Sequence, residues 1–300
     1  MPLPPLTELK EAARAAWPER RLERFRVLSG GWANLVLEAD ERVIFRIPRR
    51  REVAESLGFE LRALGVLSRF LSVPIPAPVR ISVLRRPRGW PFLAYPKLPG
   101  IPLTEVGPID PTGKRRLGEF IQTLLTELGS VPPRALLRIG TLRGTPKEWE
   151  RRYQELLRRF NRVAGQAILP PVQRAVSESF NRFYEDLARA RYRPVATHLD
   201  LGPYNLLWDK GSNRPTGVID WEDLRLGDPA FDLTGLGVLG RSRLGALTRA
   251  RRGRGDSTFG ERLAFYRRVT ALHDFVSAAE TRNLPMARKY AACLNDTFQR

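Results

Sequence analysis

Between residues 198 and 232 the chain carries hard oxygen donors at spacings that suit one kind of chemistry. The run His198-Leu-Asp200-Leu-Gly-Pro-Tyr-Asn205 leads into a short strand, Asn205-Leu-Leu-Trp. A Gly211-Ser-Asn turn follows, then a second strand that ends Val218-Ile-Asp220-Trp-Glu-Asp. Two strands joined by a turn make a hairpin, which sets the start of the first strand beside the end of the second. Asn205 and Asp220 thereby meet at one end, where two hard oxygens can hold Mg²⁺ while it bridges nucleotide phosphates. Asp200, on the loop before, can reach an acceptor hydroxyl. Cation donors for phosphate charge, and a carboxylate that orients the nucleophile and takes its proton, are the parts phosphoryl transfer requires.

The elements that must position these residues follow from periodicity. Phe25 to Leu28, Leu35 to Ala39 and Val43 to Pro48 are short β-branched or aromatic runs separated by Ser29-Gly30-Gly31 and Asp40-Glu41, which predicts three antiparallel strands with a tight second turn. Leucines and valine at 53, 57, 61, 64, 67 and 71 predict a helix from about Glu52 to Leu71, stopped by Pro74-Ile-Pro-Ala-Pro78. Two further strands, Arg80 to Leu84 and Trp90 to Tyr95, precede a stiff connector, Pro96-Lys-Leu-Pro-Gly100. Beyond it the pattern is helical over 113–128, 147–163, 171–191, 260–280 and 285–298, interrupted by the irregular stretch 196–232. This predicts an α+β chain: a small antiparallel sheet lobe with one main helix over residues 1–99, a hinge near 95–100, and a larger, mostly helical lobe over 100–300. Nucleotide clefts between lobes have this form.

The combination His198-x-Asp200-x4-Asn205 and Ile219-Asp220-Trp221-x5-Gly227-Asp228-Pro229-x2-Asp232-Leu233 resembles the aminoglycoside phosphotransferase-like small-molecule kinases, which share the protein-kinase fold. Some of the pattern is similar to macrolide kinases, notably Arg46-Ile-Pro-Arg-Arg50. The resemblance covers most of the chain, since the Gly30-Gly31 hairpin, the Ile44 to Pro48 strand and the Pro96 to Gly100 hinge fall where that family has its nucleotide-binding lobe. It implies that Asp200 is the catalytic base, that Asn205 and Asp220 are the magnesium ligands, and that His198 is an orienting residue. Asp228 and Asp232 are expected to fasten the loop after the metal site by capping the following helix.

In this fold a basic residue on the third strand contacts the nucleotide phosphates and pairs with a helix glutamate. The resemblance puts Arg46 there, a departure from the usual lysine that keeps the charge and offers a bidentate contact but needs more room. Helical phase then chooses the partner. Glu60 lies seven positions from Val53 and three from Leu57, on the apolar stripe, whereas Glu55 points the other way. The resemblance further implies that Ser29, Gly30 and Gly31 fold over the phosphates through backbone N–H groups. The purine base of ATP or GTP would be read by the Pro96 carbonyl and the Leu98 N–H.

Composition bounds the partner. The chain has 51 Lys+Arg against 32 Asp+Glu, a net charge of +19, and only six of the basic residues are lysine. The basic residues are dispersed on helix-patterned segments, and the densest group, Arg249 to Arg254, is expected in a Gly-containing loop without interleaved aromatics, so no specific nucleic acid is expected. One cysteine and two histidines exclude a disulfide scaffold and a Cys/His zinc site. No run reaches the length of a membrane span and the N-terminus lacks a basic-then-apolar leader, so a cytoplasmic protein without a membrane partner is expected.

From Asp200 to Asp232 seven acids face three bases, a net of −4 that leaves +23 for the rest. An acidic centre of this kind can hold a cation at short range, because salt screens the surrounding charge beyond about 8 Å. Glu222 and Asp223, with Asp274 and Glu280 on a later helix, are the candidate acceptor contacts. Trp208, Trp221 and Tyr266 would equally suit a larger, less polar antibiotic. The expectation is a magnesium-dependent kinase moving the γ-phosphoryl group of ATP or GTP to a small-molecule hydroxyl, on an aminoglycoside-type antibiotic or else on a macrolide, sugar or amino alcohol. A non-catalytic nucleic-acid-binding protein is the alternative from another class.

Overall fold

The computed structural model describes residues 5–19, 21–28, 34–76, 80–84, 90–165 and 167–299. It is an α+β chain. In chain order the first elements are α1 (Leu6–Ala16), β1 (Phe25–Leu28), β2 (Asn34–Ala39), β3 (Val43–Pro48), α2 (Arg51–Leu67), β4 (Arg80–Leu84), β5 (Trp90–Pro96) and β6 (Ile101–Pro102). There follow α3 (Pro111–Ser130), α4 (Pro133–Arg138), α5 (Pro146–Val163), α6 (Pro170–Arg189), β7 (Val195–Thr197), β8 (Leu206–Asp209), β9 (Arg214–Val218), β10 (Arg225–Gly227), α7 (Arg241–Arg251), α8 (Phe259–Glu280) and α9 (Leu284–Gln299). They form two compact units, Met1–Thr141 with Gly202–Leu224, and Leu142–Leu201 with Arg225–Arg300.

The first unit is built on an antiparallel sheet of order β1-β2-β3-β5-β4. Its central strand β3 is buried along its whole length. Side-chain alternation sorts the strand: Val43, Phe45 and Ile47 pack with Leu9, Ala13 and Trp17 of the N-terminal segment, while Ile44 packs with Leu57 of α2 and Tyr95 of β5. Arg46 shares the α2 side by the same period of two. The β2–β3 turn runs through Asp40 and Glu41, both with positive φ, and the Asp40 carboxylate accepts the N–H groups of Glu23 and Arg24. On α2, Leu57, Glu60, Leu64 and Leu67 are buried at helical spacing. The helix ends at Leu67 rather than Leu71, and its last residues turn back through N–H bonds from Phe70 and Leu71 to the Leu67 carbonyl.

The same unit contains a three-stranded sheet, β6-β8-β9, against α3. Asp110 caps α3 by accepting the Gly113 N–H at 2.6 Å, with Pro111 in the first turn. The second unit is helical. Its α5 starts from a capping box, Thr145 with Glu148, and buries Trp149, Tyr153, Leu156 and Phe160. Against α6 and α8 these form an aromatic core in which Phe183 stacks on Phe265 at 3.9 Å. The two-stranded sheet β10-β7 belongs to this unit. The Arg249 to Arg254 run differs from its expectation: α7 continues to Arg251, so the first half of the run is the helix's last turn, where cations oppose the helix dipole favourably.

Candidate active site

Arg46 is the centre of a buried ionic cluster. Its Nη1 donates to Glu60 Oε1 at 2.6 Å, and its Nη2 donates to Asp220 Oδ1 at 2.8 Å and to Glu222 Oε2 at 3.0 Å. Glu60 is fully buried on α2, in the phase read from the sequence, and its Oε1 also accepts the Trp221 N–H at 3.4 Å. Burial works against the charge of Arg46, but the carboxylates of Glu60, Asp220 and Glu222 outweigh it and hold the guanidinium strongly protonated. Three carboxylates around one cation leave an excess of negative charge, and Glu222 absorbs it. Burial, then the neighbouring Asp220 charge, push its carboxyl up to about 7 against the pull of Arg46. Asn34, at the start of β2, donates from Nδ2 to Glu222 Oε2 at 3.3 Å.

The β8–β9 hairpin forms as expected, with Leu206 opposite Val218 and the Ile219 N–H donating to the Asn205 carbonyl at 3.0 Å. Asn205 and Asp220 therefore flank one end of the hairpin. The chain after β9 is pinned by Trp221, fully buried, whose indole N–H donates to the Val218 carbonyl at 3.1 Å. Asp220 itself has φ of 69°, a left-handed conformation that is costly for a residue with a Cβ and that concentrates at functional sites. Asn205 is buried, whereas the Asp220 side chain is 37% exposed. Among the described residues no three His, Cys, Asp or Glu side chains gather as a metal cage. An amide oxygen and a carboxylate suit Mg²⁺, which keeps most of its shell for water and substrate phosphates.

Asp200 lies on the loop after β7, in the second compact unit. Its N–H donates to His198 Nδ1 at 3.2 Å, so the imidazole helps to orient the backbone of the loop. Both carboxylate oxygens of the buried Asp232 accept N–H groups from the same loop, Oδ2 from His198 and Oδ1 from Leu199, each at 2.9 Å. Leu199 sits at φ 68°, and this clamp holds it there. Asp232 thus fastens the loop before Asp200 instead of capping the following helix. Asp228 also departs from that expectation: besides taking the Ala230 N–H, it binds the buried Arg262 (Nε–Oδ2 2.6 Å) and the Tyr266 hydroxyl (2.7 Å). Arg262 has a second carboxylate partner in Asp256.

The Pro96–Gly100 connector is tied down within the first unit. The Lys97 N–H donates to the Arg42 carbonyl at 2.7 Å, Lys97 Nζ meets Glu38 Oε2 at 2.6 Å, and the Thr216 hydroxyl donates to the Pro99 carbonyl at 2.5 Å. Leu98 packs on β9, where a Cβ on Gly217 would come within 2.8 Å of its methyl. Pro96 ends β5 opposite Val43. Ser29, Gly30 and Gly31 lie outside the described residues.

Two of the four acceptor candidates lie in each unit. Glu222 is placed on Arg46, Asp223 is exposed beside it in sequence, and Asp274 on α8 is exposed and accepts from Tyr290 of α9. Glu280 is held by Arg159 of α5, through Nε at 3.0 Å and Nη2 at 2.5 Å, and that hydrogen bonding lowers its pKa. Trp208, Trp221 and Tyr266, expected as possible contacts for a less polar antibiotic, are all core side chains with at most 1% exposure. Asn34 and Arg262 escaped the sequence reading. Asn34 was within reach of register logic, because residues 34, 36 and 46 share one face of the β2–β3 pair. Nothing in the sequence distinguishes Arg262 from the other arginines of the helices.

The sheet lobe with its central Arg–Glu pair and the irregular stretch carrying Asp200, Asn205 and Asp220 define a phosphotransferase of the kinase-like fold. The same fold is found in solved structures. The GDP and kanamycin complex of APH(2″)-IIia matches with a TM-score of 0.85 and 21% identity over 96% of this chain and 97% of that one. The macrolide 2′-phosphotransferase of Brachybacterium faecium matches with a TM-score of 0.70 and 24% identity over 95% and 98%. The family follows from the sequence: the model of the phosphotransferase enzyme family matches residues 24–273, and the chain belongs to it. A curated relative, the viomycin phosphotransferase of Streptomyces vinaceus, is 27% identical over 237 residues, 78% of this chain and 76% of the relative. No helix among the described residues is long and apolar enough to cross a membrane.

Proposed function

We propose that this phosphotransferase moves the γ-phosphoryl group of ATP or GTP to a hydroxyl of an antibiotic, an aminoglycoside-type compound first. The observation that carries the reading is the buried Arg46, paired through one arm with Glu60 and through the other with Asp220. A guanidinium held charged on the central strand is a ready counter-ion for nucleotide phosphates. In this reading residues 1–99 form the nucleotide lobe, with the Pro96 carbonyl and Leu98 N–H reading the base. Residues 100–300 supply Asp200, the cation donors and the acceptor site. Asn205 and Asp220 would hold Mg²⁺, which neutralises phosphate charge when bound.

Asp200 accepts the proton of the acceptor hydroxyl as that oxygen bonds to the γ-phosphorus. The bond from phosphorus to the β–γ bridging oxygen breaks, and the nucleoside diphosphate leaves with that electron pair. The antibiotic acceptor is supported by the kinds of compound named for the relatives: viomycin, kanamycin and macrolides. The acidity of the 200–232 stretch gives a polycation less support than its count suggests. Asp209 is used by its own turn, Asp228 and Asp232 are buried, and Asp220 and Glu222 are paired with Arg46. Asp223 and Asp274 remain the exposed acids for a cationic acceptor. A coupled assay with ATP and GTP separately, against aminoglycosides, viomycin, macrolides, sugars and amino alcohols, tests the reading. Phosphorylation of one antibiotic class is expected, and turnover confined to sugars or amino alcohols would replace the antibiotic with a metabolite.

A further inference from the structure

The arginine on β3 raises a problem that a lysine there would not. A lysine brings one nitrogen on a flexible stem, whereas a guanidinium brings a rigid fork, and every buried N–H of the fork needs an acceptor. Here Nη1 is matched to Glu60. Nη2 has two carboxylate acceptors, Asp220 Oδ1 at 2.8 Å and Glu222 Oε2 at 3.0 Å. That doubling has a purpose once Asp220 is needed elsewhere: a carboxylate committed to a cation is a poor partner for a guanidinium. Glu222 is itself steadied by Asn34, whose side chain is only 4% exposed and whose Oδ1 has no hydrogen-bond partner. The amide meets Glu222 through Nδ2.

We propose that Glu222, steadied by Asn34, is the positioning residue for the second arm of Arg46, holding that arm when Asp220 turns to the cation. This rests on the nucleotide reading of Arg46 given above, but the ion pair it describes exists without nucleotide. Glu222 thereby acts through Arg46 and has a role in nucleotide binding, where the sequence had suggested an acceptor contact.

The test is a double-mutant cycle between Arg46→Lys and Glu222→Gln at pH 8, with Asn34→Ala as a third, milder probe that leaves both charged groups in place. Two quantities are read: the urea midpoint without nucleotide, and calorimetric affinity for ATP and GTP with and without Mg²⁺. In the wild-type background Glu222→Gln is expected to lower the midpoint and to weaken Mg-nucleotide binding about tenfold, the scale of a charged hydrogen bond, with much less effect on nucleotide alone. Asn34→Ala moves both in the same direction by less. In the Arg46→Lys background Glu222→Gln leaves the midpoint nearly unchanged and alters the affinity by no more than about twofold. Equal losses in the two backgrounds would overturn the proposal, because Glu222 would then act independently of the fork. If wild type binds no nucleotide at all, the function reading fails, while coupling in the urea midpoint still decides whether Glu222 holds the arm. Should Arg46→Lys not fold, Glu222→Asp serves: recovery of the Mg-dependent affinity supports the proposal, and a loss as large as that of Glu222→Gln in both readouts opposes it.

Discussion

At the scale of single residues, the reading separates two carboxylates by what they do. Asp200 is assigned to the acceptor hydroxyl and Asp220 to the cation and to Arg46, so their removal should fail differently. Asp200→Ala is expected to lower turnover by roughly a thousandfold while nucleotide affinity stays within a few fold, since a base acts mainly in the transition state. Asp220→Ala should instead weaken Mg-nucleotide binding, and it also takes one of two acceptors from Nη2 of Arg46. Calorimetry beside steady-state kinetics distinguishes the two, and a loss of nucleotide binding in Asp200→Ala would reverse the assignment. The meeting of Asn205 and Asp220 at one end of a hairpin was legible in the sequence because turn and strand signals fix the pairing. Glu60 was legible because helical phase admits only one of two glutamates to the buried face. The partners of Glu222 were not, because it lies in the turn between β9 and β10, where no periodicity says which way a side chain points.

At the scale of elements, two devices hold the loop before Asp200 and the helical core. Asp232 takes the N–H groups of His198 and Leu199, and Asp232→Ala would leave both without their acceptor at a cost of about 2 kcal/mol or more. Amide exchange at residues 198–200 should accelerate well beyond that of α8, with turnover falling in step; unchanged protection there would remove the clamp from the account. The second device is the aromatic packing of α5, α6 and α8, where the His273 ring meets Tyr153 edge-on at 5.8 Å and its Nε2 has no hydrogen-bond partner. Burial, with the charges of Arg152 and Arg159, pushes its pKa from 6.5 down to about 3. A depressed histidine leaves the unfolded chain binding the proton more readily, so its contribution is intact above pH 6.5 and is lost progressively as pH falls toward 3. His273→Leu should therefore flatten the fall of the urea midpoint between pH 6.5 and 4, and an unchanged slope would exclude it as the group responsible. The long helices were legible from periodicity. The short β7 and β10, three residues each, and the helix α7 were not, since three residues carry no period and α7 has only a weak apolar face.

At the scale of the whole chain, the surplus of 51 basic over 32 acidic residues first suggests a polyanionic partner. The structure ties part of it to internal work. Arg46 and Arg262 neutralise carboxylates in the interiors of the two compact units, and Arg159 holds Glu280. Other arginines, Arg115, Arg158 and Arg182 among them, are exposed on helices, and the family to which the chain belongs is one of phosphotransferases. The measurement that tests this most directly follows the γ-phosphate itself. ATP or GTP labelled at the γ-position is mixed with the enzyme, Mg²⁺ and a responsive antibiotic, and the products are separated. Label should move onto the acceptor in step with nucleoside diphosphate formation, and Asp200→Ala should slow the transfer roughly a thousandfold. Label released only as inorganic phosphate, or transfer at an undiminished rate in Asp200→Ala, would contradict the assignment of this site.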